Sequence, residues 1–117
     1  MSRLDSFIRR MSAQRDCLNA AKLLIDGRDG VVLELGLGNG RTFDQLRGLF
    51  PERAIYAFDR DLRSHPDCVP DAGHLFLGDL AETLPRAGKL LNGQAVLAHL
   101  DLGSGRLRNT FTRKEGL

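Results

Sequence analysis

Apolar residues recur every three or four positions over the first two dozen residues of the chain. They are Leu4, Phe7, Ile8, Met11, Leu18, Ala21, Leu24 and Ile25. This spacing places them on one side of a helix, so it predicts a long amphipathic helix over residues 3–26. Gly27 and Gly30 then favour the end of that helix.

Four short apolar runs follow, at residues 31–35, 54–58, 75–77 and 95–100. Continuous runs of this kind are typical of strands that are buried on both faces of a parallel sheet. Helices are predicted after the first run and over residues 80–92, where Pro85 is expected to limit the start. Residues 60–73 contain two prolines and little helical periodicity, so they are predicted to form a loop, or a segment with only a turn or two of helix.

Alternating strands and helices predict an α/β fold with a parallel sheet and right-handed crossovers. Ligands of such sheets bind at the carboxyl ends of the strands. Glu34, Asp59, Asp79 and Asp101 lie at or just past the carboxyl ends of the four predicted strands. An aspartate alone would mean little, because it is common in turns, but four matching positions indicate a site.

Composition narrows the class of protein. The 117 residues are enough for one domain, and 42% hydrophobic with 27% charged residues indicates a folded chain. A net charge of +2 is too even to indicate nucleic-acid binding. No apolar run has the roughly 20 residues of a membrane span, and no signal-peptide pattern is present. The expectation is a cytoplasmic protein with reduced cysteines.

The segment Glu34-Leu35-Gly36-Leu37-Gly38-Asn39-Gly40 links the first strand to a helix. Glycines permit a sharp turn there and let a ligand approach the backbone. Free amides at the start of a helix favour a carboxylate or phosphate group. The dinucleotide fingerprint requires a third small residue where this chain has Arg41, which disfavours a nicotinamide cofactor. The segment also lacks the Gly-Lys-Ser/Thr ending of a nucleoside-triphosphate loop.

The run VLELGLGNGRTFDQL resembles the first motif of class I S-adenosylmethionine-dependent methyltransferases. AIYAFDRD is similar to their second motif, with Asp59 placed 19 residues after Gly40, and LFLGDL and AVLAHLDLG are similar to the third motif and fourth strand. DSFIRRMSAQR, HPDCVPD and HLFLGDL resemble a small bacterial group of unassigned substrate. The resemblance covers residues 1–103 and implies a Rossmann-like fold.

The resemblance implies that S-adenosyl-L-methionine is the cofactor. Gly36, Gly38 and Gly40 would pass under its methionyl part, and Glu34 would face its ammonium group, directly or through water.

At the other strand ends, the resemblance implies that Asp59 would accept both ribose hydroxyls. Asp79 would bind the adenine amino group, with the Leu80 backbone at the ring edge. Asp101 would lie near the transferring methyl group. No catalytic residue is assigned.

Simpler structural roles compete with these assignments. The glycine segment could be a plain tight turn, and Asp59 or Asp79 could cap a helix, a role nearly as well supported for Asp79. For Asp101 the structural role is favoured. His99 is predicted to be a packed or hydrogen-bonded histidine, with a general base as the alternative. Gln14 or Arg15 could contact the cofactor from the first helix.

A metal site is disfavoured, because the candidate ligands match no standard zinc spacing. Those candidates are His65, Asp67, Cys68, Asp71 and His74.

The resemblance to the family ends near Gly103, where relatives continue into a further helix and strand of a seven-stranded fold. We therefore expect a Rossmann-like domain over residues 1–103, truncated after about four strands, and a polar, basic tail over residues 104–117. A partner chain, as in a homo-oligomer, or the tail itself is expected to cover the open edge of the fourth strand. The basic tail residues, which could contact phosphate but are better explained as solubilising, are Arg106, Arg108, Arg113 and Lys114.

The sequence thus predicts a methyltransferase that acts on an unknown, small-molecule acceptor. A module that binds S-adenosyl-L-methionine without turnover is the alternative, since the acceptor half of the family's fold is not recognised. An NAD-dependent dehydrogenase is the less favoured third reading.

Overall fold

The computed structural model describes residues 1–102 and 107–112. Three helices and five strands make up the regular structure of these residues: α1 (Arg3–Leu24), β1 (Val31–Leu35), α2 (Arg41–Leu49), β2 (Ile55–Asp59), β3 (Leu75–Leu77), α3 (Leu80–Leu91), β4 (Ala95–Leu102) and β5 (Leu107–Thr112). Two short 3₁₀ turns, Pro66–Cys68 and Ala72–His74, lie in the predicted loop between β2 and β3. No helix within the described residues is long and apolar enough to cross a membrane.

The strands form one sheet in the order β3-β2-β1-β4-β5. The first four run parallel, which confirms the predicted Rossmann-like α/β fold. The fifth strand, within the predicted tail, pairs antiparallel with β4. The chain's own backbone therefore covers the β4 edge, one of the two covers that we expected. The contacts of the basic side chains at 106, 108, 113 and 114 lie outside the described part of the chain.

One predicted element boundary, the end of β4, and the predicted role of Pro85 were wrong. β4 continues to Leu102, because Asp101 and Leu102 pair with Arg108 and Leu107 of β5. Asp101 therefore lies within the strand and not beyond its end. Pro85 lies inside α3 and does not limit its start, which is set instead by the Asp79 side chain capping the helix.

The core lies on both faces of the sheet, as the apolar runs predict. One face packs against α1 and α2, with Leu18, Val32, Leu46 and Leu97 fully buried there. The other face packs against α3 around Phe58. Because β1 contributes to both layers, its carboxyl end and the glycine segment that follows it are held from two sides.

Only the carboxyl-terminal half of α1 is buried. Leu18 and Ala21 pack into the core, whereas Leu4 and Ile8 are 66% and 52% exposed. The helix begins with a capping box, in which the Ser2 hydroxyl accepts from the Asp5 amide and the Asp5 carboxylate accepts from the Ser2 amide. α1 ends near the amino end of β1, so its first half lies toward the carboxyl ends of the strands.

Candidate functional site

The glycine segment turns the chain sharply from β1 into α2. Gly36, Gly38 and Gly40 have φ values of 93°, 54° and 88°, in the region that other residues rarely adopt. Gly40 also has a steric requirement, because a Cβ atom there would lie 2.5 Å from Cys68 Cβ. At Gly38, no heavy atom lies within 4 Å of an added Cβ, so that side of the turn is open to a ligand.

Asp59, the last residue of β2, holds the glycine segment in place. Its Oδ2 atom accepts from the backbone amides of Leu37 and Gly38 at 2.9 and 3.0 Å. Its Oδ1 atom accepts from the Arg60 amide at 2.7 Å. The two strand ends are also joined by a hydrogen bond of 2.8 Å from the Gly36 amide to the Phe58 carbonyl. Asp59, which was predicted to bind the ribose of the cofactor, is thus in direct contact with the glycine segment.

The segment between β2 and β3 forms a second support for the glycine turn. The Ser64 hydroxyl donates to the Gly38 carbonyl at 2.7 Å, and Cys68 packs on Gly40. Arg47 of α2 donates to the Asp67 carbonyl at 2.6 Å. Sequence reasoning missed Ser64 and Cys68 as partners of the glycine segment, because the contacts join residues more than 20 positions apart.

The histidines that were considered as metal ligands form local contacts within the segment between β2 and β3. His65 Nδ1 accepts from the Asp67 amide at 3.1 Å, and His74 pairs with Asp71 at 2.6 Å. The hydrogen bond from His74 is the main cause that lowers the pKa of Asp71. In the described part of the chain, no three histidine, cysteine or acidic residues are grouped to hold a metal ion.

Asp79 caps α3. Its Oδ1 atom accepts from the Ala81 amide at 2.9 Å, and its Oδ2 atom accepts from the Arg60 guanidinium at 3.0 Å. The Ala81 amide first, and Arg60 second, hold the pKa of Asp79 below its usual range. Leu80, the first residue of the helix, is half-buried against the α3 face of the core. Arg60 was missed as a site residue, although it directly follows Asp59.

Glu34, the fourth residue of β1, is fully buried two residues before Gly36. Its Oε1 atom lies 2.7 Å from His99 Nδ1, and the two side chains are 0% and 1% exposed. Gln14 of α1 lies 3.3 Å from the other ring nitrogen, Nε2. His99 is therefore the hydrogen-bonded histidine that the sequence favoured. A directly bound ligand would have to reach Glu34 through this buried layer, so the geometry favours an indirect role.

The structure thus brings the glycine segment, Asp59 and Asp79 to the carboxyl ends of the parallel strands β1, β2 and β3. The side chain of Asp101 lies outside the described residues. The donor and acceptor set suits an adenosyl group: Gly38 is open, and the three amides that Asp59 accepts leave one of its roughly four lone-pair sites for a hydroxyl donor. The residues present therefore fit the cofactor that the resemblance implies.

Comparison with known proteins agrees with this geometry. A family model described as S-adenosyl-L-methionine methyltransferase matches residues 1–114. Among solved structures, the chain is similar to an S-adenosyl-L-methionine methyltransferase from Silicibacter pomeroyi DSS-3, with 49% sequence identity and a TM-score of 0.82. The match covers 89% of this chain and 64% of that chain, so this chain spans less than two thirds of that protein. No match was found among the curated proteins.

Proposed function

Because the chain belongs to the S-adenosyl-L-methionine methyltransferase family, we propose that it binds S-adenosyl-L-methionine at the carboxyl edge of its sheet and transfers the methyl group to a small-molecule acceptor. The observation that carries this proposal is the contact of Asp59 with the Leu37 and Gly38 amides. It places the acidic residue of the second motif directly against the glycine turn of the first motif.

Each site residue has a distinct part in the proposal. Gly36, Gly38 and Gly40 give the methionyl part of the cofactor close access to the backbone, because their positive φ values keep the turn tight. Asp59 accepts a ribose hydroxyl at its remaining lone-pair site while it holds the turn. Glu34 faces the ammonium group through water, because its side chain is buried against His99.

Asp79, the other proposed ligand residue, binds the adenine amino group beside the Leu80 backbone. Its carboxylate is already oriented by Ala81 and Arg60, so little reorganisation is needed on binding. Asp101 near the transferring methyl remains an expectation.

When bound, the cofactor supplies an electrophilic methyl group on a positively charged sulfonium, which leaves as a neutral sulfide. The protein's contribution is then to position the cofactor and to exclude water. A small molecule is the proposed acceptor, because the near-even charge balance offers no basic field for a nucleic acid.

Titration calorimetry with S-adenosyl-L-methionine, its demethylated product and NAD tests the binding step. Binding of the first two ligands is expected. Binding of NAD alone would overturn the proposal. Methyl transfer from labelled cofactor to a metabolite pool then separates an enzyme from a module that binds without turnover.

A pair of variants tests the ribose ligand. Asp59→Ala should weaken cofactor binding by about 1–3 kcal/mol, because a charged hydrogen-bond acceptor is lost. Asp61→Ala is a matched control, since it removes the same charge two residues away, from a carboxylate whose ion-pair partner among the described residues is the exposed Arg63 at 3.4 Å. Equal affinities for the two variants would refute the role of Asp59.

A further inference from the structure

Glu34 and His99 are cross-strand partners on β1 and β4. Their side chains meet at 2.7 Å, and both are almost fully buried. Burying a carboxylate costs free energy unless a hydrogen-bonding partner compensates it. Since an apolar pair would pack there without that cost, the polar pair points to a use for a carboxylate two residues before Gly36.

Gln14 contacts the ring nitrogen of His99 that does not contact Glu34. The amide nitrogen of Gln14 lies 3.3 Å from His99 Nε2. With this orientation of the Gln14 amide, Nε2 accepts, and the hydrogen-bond pattern then requires the ring proton on Nδ1. Nδ1 then donates to Oε1 of Glu34.

We infer that Gln14 and His99 are positioning residues: they form a relay from α1 through β4 to Glu34 and hold that carboxylate behind the glycine turn. This inference rests on the proposed function, because its purpose is to organise the cofactor loop. It also gives α1 a defined connection to the site. Connected hydrogen bonds polarise one another, so we expect the Gln14–His99 and His99–Glu34 bonds to strengthen each other.

A matched pair of glutamine variants tests the relay. Gln14→Leu removes the α1 hydrogen bond to His99. Gln45→Leu removes an exposed side-chain hydrogen bond between α2 and α1, from Gln45 to Asn19 at 3.2 Å, which involves neither His99 nor Glu34. Calorimetry should show about fivefold weaker cofactor binding for Gln14→Leu and less than a twofold change for Gln45→Leu. Equal changes for the two variants would overturn the inference.

Two replacements of His99 test whether the donor to Glu34 matters. An asparagine side chain would retain an amide donor near the position of Nδ1, so His99→Asn should recover part of the affinity that His99→Leu loses. The expected order of cofactor affinity is the native chain, then His99→Asn, then His99→Leu. Full affinity in His99→Leu would contradict the relay. Should that variant fail to fold, His99→Asn and Gln14→Leu still decide the question.

A measurement without cofactor separates the relay from the proposed function. Two-bond ¹H–¹⁵N correlation spectra of the ligand-free native protein should show His99 as the neutral ring with its proton on Nδ1. A proton on Nε2, in the other tautomer or in an imidazolium, would overturn the relay whether or not the cofactor binds. Absence of cofactor binding by a native protein that shows the Nδ1 proton would refute the proposed function and the purpose of the relay, but not its geometry.

Discussion

Asp59 Oδ2 accepts the backbone amide hydrogen of Leu37 at 2.9 Å, so the end of β2 is tied directly to the turn that follows β1. The same oxygen accepts from Gly38 at 3.0 Å. Asp59 therefore has a structural task in the chain without ligand, besides the ribose contact that we propose. The two tasks make different demands on the side chain, because the loop needs only an acceptor while a cationic cofactor also benefits from the charge.

Replacing Asp59 should lower stability even without cofactor. Asp59→Ala leaves the Leu37 and Gly38 amides without this acceptor, and we expect a loss of about 1–3 kcal/mol in the free energy of unfolding, measured with urea. Asp59→Asn retains an oxygen and should lose less than half as much. Asp61→Ala should be within about 0.5 kcal/mol of the native chain, the scale of an exposed substitution. A fully stable Asp59→Ala variant would show that the contact does not hold the loop.

Gly40→Ala adds one methyl group to the glycine segment and should lower the free energy of unfolding. The new Cβ would lie 2.5 Å from Cys68 Cβ and 2.8 Å from the Cys68 carbonyl oxygen, at a φ of +88°. Backbone strain and overpacking together are expected to cost about 2–4 kcal/mol in urea unfolding.

Gly48→Ala provides the control for this substitution within α2. An added Cβ at Gly48 meets no heavy atom within 4 Å, so the higher helix propensity of alanine should raise stability by about 0.5–1 kcal/mol. Similar losses in the two variants would contradict the steric argument at Gly40.

The parallel sheet and the glycine turn were predictable because their signals are local. Four apolar runs and three closely spaced glycines lie within short stretches of sequence. The support of the turn by Ser64 and Cys68 was not predictable, because those contacts depend on how a loop without periodicity packs after the sheet has formed. The residues that support the glycine turn are therefore harder to predict than the glycine turn itself.

The fifth strand shows the same limit. Its residues, Leu107–Thr112, have only two large apolar side chains and no clear alternation. Pairing with β4 provides the strand's hydrogen-bonding partner, and that partner also extends β4 past Leu100. Asp101 was misplaced for this reason, since the sequence of β4 alone indicates an end where the apolar run stops.

Arg53 joins the end of α1 to the start of β1. Its guanidinium donates to the carbonyls of Gly30, Ile25 and Arg28 at 2.9, 3.2 and 2.6 Å. Arg53→Ala should lower the free energy of unfolding by about 2–4 kcal/mol, because charged donors to three carbonyls are lost at once.

A lysine variant tests the geometry of this contact. Arg53→Lys should recover only part of the loss, since an ammonium group cannot reproduce the planar fork of arginine. Arg63→Ala, at an exposed residue, should stay within about 0.5 kcal/mol of the native chain. Complete rescue by lysine would show that charge, and not the fork, is what matters.

Pro85 is the sixth residue of α3, where an amide would normally donate to the carbonyl of Ala81. Proline cannot donate, and its ring strains the preceding turn. Pro85→Ala should therefore raise the free energy of unfolding by about 1–2 kcal/mol, with part of the helical gain offset by a more flexible unfolded chain. Lys89→Ala in the same helix should change stability by less than about 0.5 kcal/mol. Destabilisation by Pro85→Ala would indicate a packing role for the ring.

Asp79 should make the free energy of unfolding depend on pH in the acidic range. The Ala81 amide and Arg60 lower the pKa of its carboxyl in the folded chain. A carboxyl with a lowered folded-state pKa stabilises the fold above its unfolded-state pKa, about 3.9 for aspartate. That stabilisation is lost as the pH falls through the lower, folded-state pKa.

The variant Asp79→Asn isolates this contribution. Asparagine is also a preferred helix cap, so the hydrogen bond to Ala81 can be retained while the titration and the ion pair with Arg60 are lost. The native chain should be the more stable of the two between about pH 5 and pH 7 by a constant amount, and the difference should shrink below about pH 4. Asp71 also titrates with a lowered pKa, but it is common to both chains and cancels in the difference. Urea unfolding at each pH measures this difference, and one that stays constant down to about pH 2 would show that the Asp79 carboxyl is not the group responsible.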